Sequence, residues 1–376
     1  MRHYDVVIIG GGPAGSSLAF LLKKQGVSCC IVEKAVFPRD KLCGGLLTEK
    51  TVSTINRIYG DIGFPHERIS KTVSLFCENK KLSTVTTQSV FYLVERKAFD
   101  DYLLMQFKNN AGEVFEGESI HNIAQSEHIV ELQSGLSIQY SVLVGADGAN
   151  SYVRRLIAPQ YRPNAICVET SITSNSISDE ICVFFTDGPS GYGWCFPKSD
   201  YFTVGMGGDV KYNRDIRDTF SQFAEMIGKP ISKHSIRGAM VPFGKYVKRP
   251  FCEDVLLVGD AAGLVDPITG EGLYFALRSS EIASKAIIER LRAKTSFDRT
   301  YAKELKEIHR IINDANRFNK TYFSNLMKKR ILELLDGREN IVRYYCDNIL
   351  AHYGVTYMSF PIKYYFIRWK RKHGKR

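Results

Sequence analysis

Long apolar runs are missing from this sequence: nothing approaches the ~18 consecutive apolar residues of a membrane-spanning helix, so none is expected. Paired cysteine spacing is missing as well. The nine cysteines, at positions 29, 30, 43, 77, 167, 182, 195, 252 and 346, are odd in number, scattered and without CxxC. Neither a disulfide framework nor a structural zinc site is expected, and a reduced, cytoplasmic compartment fits better. The eight histidines show no HExxH or paired ligand spacing, so no metal is assigned. There is no GxSxG elbow, no nucleic-acid-binding motif, no internal repeat and no low-complexity linker. The opening MRHYDVVIIGGG runs straight into a strand pattern without an apolar h-region or cleavage site, so a secretory signal is not expected.

What is present is ordinary globular usage, 44% hydrophobic and 24% charged, over 376 residues. At roughly 150 residues per domain this allows two or three folding units. The net charge is +11, and part of it is concentrated. Pro361 to Arg376 (PIKYYFIRWKRKHGKR) carries seven Lys or Arg and no acid, interleaved with Tyr364, Tyr365, Phe366 and Trp369. Such a tail suits an anionic lipid headgroup layer, which would make the protein peripheral on the inner face of the membrane. A frayed, solvated terminus is the plain alternative.

The periodicities predict an α/β fold. DVVIIG is a buried strand, GGPAG a glycine-rich turn, AGSSLAFLLKKQG a helix stopping at Gly26, and VSCCIVEK a second buried strand. Short alternating runs near 75–95 and 160–250 read as antiparallel strands, with an amphipathic helix, RKAFDDYLLMQFKNN, between the blocks. VLLVGDAAGLVDPITGEGLYFAL is a strand, a turn and a long helix. The expected organisation is a Rossmann-like dinucleotide-binding domain from 1–75, 96–158 and 251–294. An antiparallel-sheet substrate domain, 76–95 and 159–250, interrupts it, and a helical C-terminal region, 295–376, follows.

Gly10-x-Gly12-x-x-Gly15 follows a strand and opens a helix, with Pro13 and Ala14 inside it. The glycines permit a tight turn, close approach of a pyrophosphate and close helix–strand packing, while the helix N-terminus offers free N–H groups. Glu33 ends the second strand, where a carboxylate can accept ribose hydroxyls. This much does not separate NAD from FAD. Asp260, closing VLLVGD, can bind a ribityl chain, and Gly270 and Gly272 start the next helix close to a flavin ring. VLVGADGANSYVRR adds Asp147-Gly148; alone it reads equally as an ordinary turn.

Taken in series, GGGPAG with Glu33, Arg96 in VERKAFD, GADGANS and GDAAGLVDPITGEGL resemble the FAD-dependent oxidoreductases built like para-hydroxybenzoate hydroxylase. Within them, KLCGGLL (41–47), YGWCFPKSD (192–200) and the DPITGEGL form resemble the geranylgeranyl reductase family. The resemblance runs from residue 1 to about 290, and the C-terminal part carries none of its motifs. It implies bound FAD, with Ala14 against the pyrophosphate and Glu33 on the adenosine ribose. Cys43, Gly44 and Gly45 would lie over the isoalloxazine, and Arg96 on the ribityl or pyrophosphate side. Ile120 would contact adenine, Asp260 the pyrophosphate–ribityl region, and Gly272 with Leu273 the pyrimidine edge. Arg39 and Lys41 are close enough in sequence to help with phosphates or to be solvated.

Cys43 is the catalytic candidate: a thiol near a flavin can contact the ring, shape the substrate entrance or undergo redox chemistry. A small residue chosen for packing explains it equally. Tyr192, Trp194 and Phe196 alternate, so they share one strand face and either line an apolar tunnel or fill a core; Pro197 ends the strand or sits on its edge. Tyr192 and Phe196 replace residues of the W-x-W-x-I-P pattern of flavin halogenases, which argues against halogenation. The expected activity is reduction of carbon–carbon double bonds of a prenyl lipid or quinone. Electrons would come from transiently bound NADPH or NADH, or from a ferredoxin, because no second dinucleotide fingerprint exists. A flavin monooxygenase hydroxylating an aromatic or lipid, and a non-catalytic flavin-binding membrane-surface protein, are the alternatives.

Overall fold

The strand Arg2–Ile9 ends in four consecutive buried, β-branched residues, Val6 to Ile9, because both of its faces are covered. In this computed structural model, which describes residues 1–61, 63–185, 191–229, 231, 235–322, 325–352 and 357, it is the centre of a mostly parallel sheet. Cys29–Glu33 pairs with it in parallel on one side and Ser137–Gly145 on the other. Glu113–Glu116 lies outside the first and Val255–Leu257 outside the second. Phe251–Cys252 closes one edge antiparallel, and the pair Ile120–Ala124 and Ile129–Leu132 hangs on Ser137–Gly145. The helices Pro13–Lys24 and Leu273–Ala293 pack together, with Ser280 Oγ donating to the Ala14 carbonyl at 2.7 Å. That bond brings the starts of two helices, remote in sequence, to the same end of the sheet.

The second sheet takes its strands in the order Arg237–Val241, Ala165–Thr173, Tyr201–Asp209, Tyr192–Pro197, Glu180–Phe185, Arg68–Cys77, Lys80–Leu93, Leu46–Leu47. Two features differ from expectation. Arg68–Cys77 belongs to this sheet, so the switch between layers comes earlier than residue 76. Its pairing with Glu180–Phe185 is also parallel, so the sheet is mixed. The local alternation of both strands is the same for either direction, and only the long connection between them sets it.

The C-terminal region is helical through Tyr301–Tyr322, Asn325–Leu335 and Glu339–Tyr344, followed by the π-helical turn Tyr345–Leu350. Rather than extending away, it covers the second sheet. Phe318, Ile331, Leu335, Ile341, Val342 and Ile349 bury themselves against Val73, Leu82, Val85, Phe91 and Ile181. The basic tail, 361–376, lies outside the described residues. No helix among the described residues is long and apolar enough to cross a membrane.

Candidate active site

One cavity of about 800 Å³ runs from the glycine turn of the first sheet to the inner face of the second. At its first end stand Gly10, Gly12, Pro13 and Ala14. Gly10 has φ +106°, and a Cβ there would lie 2.5 Å from the Ala146 carbonyl oxygen, so only glycine closes this turn. Gly15 does not face the cavity; it lets the helix sit against the Gly10 carbonyl. The helix Pro13–Lys24 has no side-chain cap and no acid in its first turn, leaving its N-terminal N–H groups to a ligand. Glu33 is buried, with Oε2 accepting from Gly11 N at 2.7 Å and Oε1 from Ala35 N at 2.9 Å, so the carboxylate is oriented before any ribose arrives. Ile120 lines the same end, beside Glu118 and Ser119.

Arg39 stacks on Phe37 and lies 3.3 Å from Asp100, yet its Nη1 is buried without a partner. A guanidinium nitrogen left bare beside Gly12 fits a phosphate oxygen, and Arg39 Nη2 lies within ordinary contact, 3.5 Å, of where a Gly12 Cβ would stand. Arg96 is differently engaged: it forms a bidentate pair with buried Asp100 at 2.7 and 2.8 Å and also meets the Cys43 side chain. It therefore joins the cofactor cleft to the Cys43 loop. Lys41 also lines the cavity. Asp260 lines it too, with Oδ1 3.1 Å from where a Gly272 Cβ would stand, and burial raises its pKa. Asp147 does local work first, Oδ2 accepting from Tyr152 N at 2.6 Å and Val153 N at 3.2 Å, while buried Oδ1 has no partner. Gly270 and Gly272 lead into the helix Leu273–Ala293, whose first turn again lacks an acid. A bare cation, two uncapped helix starts and an oriented carboxylate are the donor set that FAD requires.

Beyond the loop Cys43–Gly44–Gly45 the cavity turns apolar. Tyr192, Trp194 and Phe196 do share one face of their strand and line this chamber with Val73, Leu75 and Phe91. The opposite wall comes from Phe318, Ile331, Leu335, Val342 and Leu350 of the C-terminal helices. Pro197 points the other way: it is buried, pairs with Phe202 and does not line the cavity, because the strand period of two turns it from the chamber.

Residues 3–315 match the FAD binding domain family. The chain belongs to this family. It is an FAD-dependent oxidoreductase, and several of its more distant relatives are named geranylgeranyl reductases. An uncharacterized protein of Methanosarcina barkeri is 30% identical over 87% of this chain and 85% of its own. The digeranylgeranylglycerophospholipid reductase of Methanococcus vannielii is 24% identical over 90% and 89%. Among solved structures, a geranylgeranyl bacteriochlorophyll reductase-like protein of Thermoplasma acidophilum superposes with TM-score 0.73 at 20% identity, covering 100% of this chain and 98% of its own. The fold is shared with PqsL of Pseudomonas aeruginosa, described as a probable FAD-dependent monooxygenase, at TM-score 0.69 and 19% identity over 88% of this chain and 100% of its own.

Two further residues of this flavoprotein hold the Cys43 loop. Buried Glu169 accepts from Cys43 N at 2.9 Å, and its other oxygen has no partner. Lys198 is 1% exposed and donates to the Gly44 carbonyl at 2.9 Å and the Val94 carbonyl at 2.8 Å. Burial pulls the Lys198 ammonium down to about 8 and pushes the Glu169 carboxyl up. In the sequence Glu169 stands inside the run AICVETSIT and Lys198 inside YGWCFPKSD, and neither pattern says what the side chain faces. Glu271 is anchored from outside the loop, 2.7 Å from Lys50 and accepting from Thr48 and Thr51.

Proposed function

We propose that this flavoprotein reduces carbon–carbon double bonds in the prenyl chain of a lipid or quinone. The observation that carries the reading is the continuity of the Tyr192–Trp194–Phe196 chamber with the cofactor cleft. An extended hydrocarbon laid along those rings ends at the Cys43–Gly45 loop. Bound FAD, in reduced form, supplies the hydride.

The chain's own share is orientation, dryness and charge. An isolated alkene is a weak electrophile, so reaction depends on holding it in register and keeping water out. Buried aromatics on one wall and aliphatic helix faces on the other do both. The N-terminal end of Leu273–Ala293 would offer backbone N–H groups and the positive end of a helix dipole to the pyrimidine edge of the ring. Cys43 would stand between ring and chamber as a contact to both. NADPH, NADH or a ferredoxin would dock transiently as electron donor. Names among the relatives support a geranylgeranyl chain as substrate, and the basic tail would hold the cytoplasmic protein on an anionic membrane surface where such lipids lie.

The test takes FAD-loaded protein reduced with dithionite and mixed anaerobically with geranylgeranylated lipid, followed by mass spectrometry. Added hydrogen pairs without air support the reading. Added oxygen, appearing only when air and a reductant are present, would make the protein a monooxygenase. An unchanged lipid in both arms would refute the prenyl substrate.

A further inference from the structure

This inference rests on the prenyl reduction above and supplies what that reaction still lacks, a source for the proton. The C-terminal helices present mainly apolar side chains to the chamber. Tyr345 is the departure. It lines the chamber from the π-helical turn Tyr345–Leu350, and its phenol is hydrogen-bonded to Tyr357. Tyr357, buried behind the wall, has its hydroxyl 3.0 Å from Asp266 Oδ2. Asp266 is buried too, its Oδ1 accepting from Ile268 N at 2.7 Å and Thr269 N at 2.9 Å.

The three groups form a connected line from the chamber surface to the turn that precedes Gly272. Two other polar side chains of this lining are committed. Tyr192 Oη donates to the Thr269 carbonyl, and Glu271 is tied to Lys50, Thr48 and Thr51. Phenylalanine at 345 and 357 would fill the same space without the cost of burying hydroxyls and a carboxyl in an apolar wall.

We propose that Tyr345 Oη gives the proton to the alkene carbon adjacent to the one that receives hydride, with Tyr357 and Asp266 resupplying it. The balance is complete. The π pair of the double bond becomes the new C–H bond to the proton as the Tyr345 O–H bond breaks and leaves a phenolate. Tyr357 returns a proton to that phenolate, the Asp266 carboxyl returns one to Tyr357, and solvent reprotonates Asp266 after product leaves. Burial raises the pKa of Asp266, against the two backbone N–H groups that lower it.

The experiment is a single anaerobic turnover of dithionite-reduced, FAD-loaded protein with a geranylgeranylated glycerophospholipid in D2O and in H2O. Flavin absorbance and lipid mass are followed. In D2O the wild type is expected to place two deuterium atoms on each saturated bond, one through the exchangeable flavin N5 position and one through the proton donor. Tyr345→Phe is expected to slow the lipid-dependent step roughly 100-fold or more. FAD affinity, melting temperature and binding of the saturated lipid, read by the flavin spectrum, should stay at wild-type values. Tyr357→Phe should slow the step less and displace its pH profile, whereas Cys43→Ala should keep the wild-type pH profile. Tyr345→Phe turning over at the wild-type rate, or Cys43→Ala displacing the pH profile while Tyr357→Phe does not, overturns the relay. A wild-type protein that adds no hydrogen to the lipid overturns the prenyl reading itself, and the relay with it.

Discussion

Glu169 accepts the backbone N–H of Cys43 at 2.9 Å, so a buried carboxylate of the second sheet fixes the loop beside the flavin site of the first. Lys198 grips the next peptide group, at the Gly44 carbonyl. The two layers are thereby joined at the point where cofactor cleft and chamber meet, and the first two predictions concern this clamp.

Lys198→Met would leave the Gly44 and Val94 carbonyls without their donor. An unpaired buried acceptor costs about 1–3 kcal/mol, so a melting-temperature drop with weakened FAD binding is expected. Wild type also carries a pH signature. Its Lys198 titrates near 8 when folded and near ~10.4 when unfolded, so between these values the unfolded chain binds the extra proton. Stability from this group should therefore rise with pH across that window. Denaturant titrations at pH 7.5 and 10 on wild type and Lys198→Met would show it as a difference between the two proteins; a constant difference would refute it.

Gly44 and Gly45 should respond differently to alanine. At Gly45, φ is +68° and a Cβ would lie 2.1 Å from the Val94 carbonyl oxygen, backbone that cannot step aside. Strain of about 1–3 kcal/mol and loss of FAD are expected there. At Gly44 the Cβ would lie 2.8 Å from the Phe196 ring, which can rotate into the chamber. Gly44→Ala should keep FAD and raise KM for the lipid, as fluorescence titration and steady-state kinetics would show.

Arg39→Ala removes the cation with a bare buried Nη1. A charge-assisted hydrogen bond contributes about 1.5–3 kcal/mol, so FAD should bind roughly 10- to 100-fold more weakly. Arg39→Lys should recover part of the loss, and equilibrium dialysis of FAD measures both. Unchanged affinity in the alanine variant would remove Arg39 from the phosphate site.

Leu335→Trp adds bulk to the chamber wall furthest in sequence from the cofactor motifs. FAD content should stay at the wild-type level while lipid turnover falls, and shorter prenyl chains should suffer less. Equal losses for C10 and C20 chains would show that the hydrocarbon does not lie along that wall.

Removal of residues 361–376 should abolish flotation with phosphatidylglycerol vesicles at low salt and leave FAD binding intact. Flotation retained by the shortened chain would place membrane attachment elsewhere.

The glycine turn, Glu33, Asp260 and the helix starts were legible in the sequence because a phosphate cradle is built from contiguous residues whose backbone geometry dictates their identity. Family resemblance carried the FAD assignment on the same short segments. Tyr192, Trp194 and Phe196 were readable as one strand face, although not as chamber rather than core, since a period of two says which residues lie together and not what faces them. Only the tertiary structure decided that the C-terminal helices close over them, that Arg68–Cys77 runs parallel to Glu180–Phe185, and that Glu169 and Lys198 grip the Cys43 loop. Each of these joins positions far apart in the chain, and the free energy of such contacts comes from burial and pairing between distant segments, which leaves no local pattern in either of them.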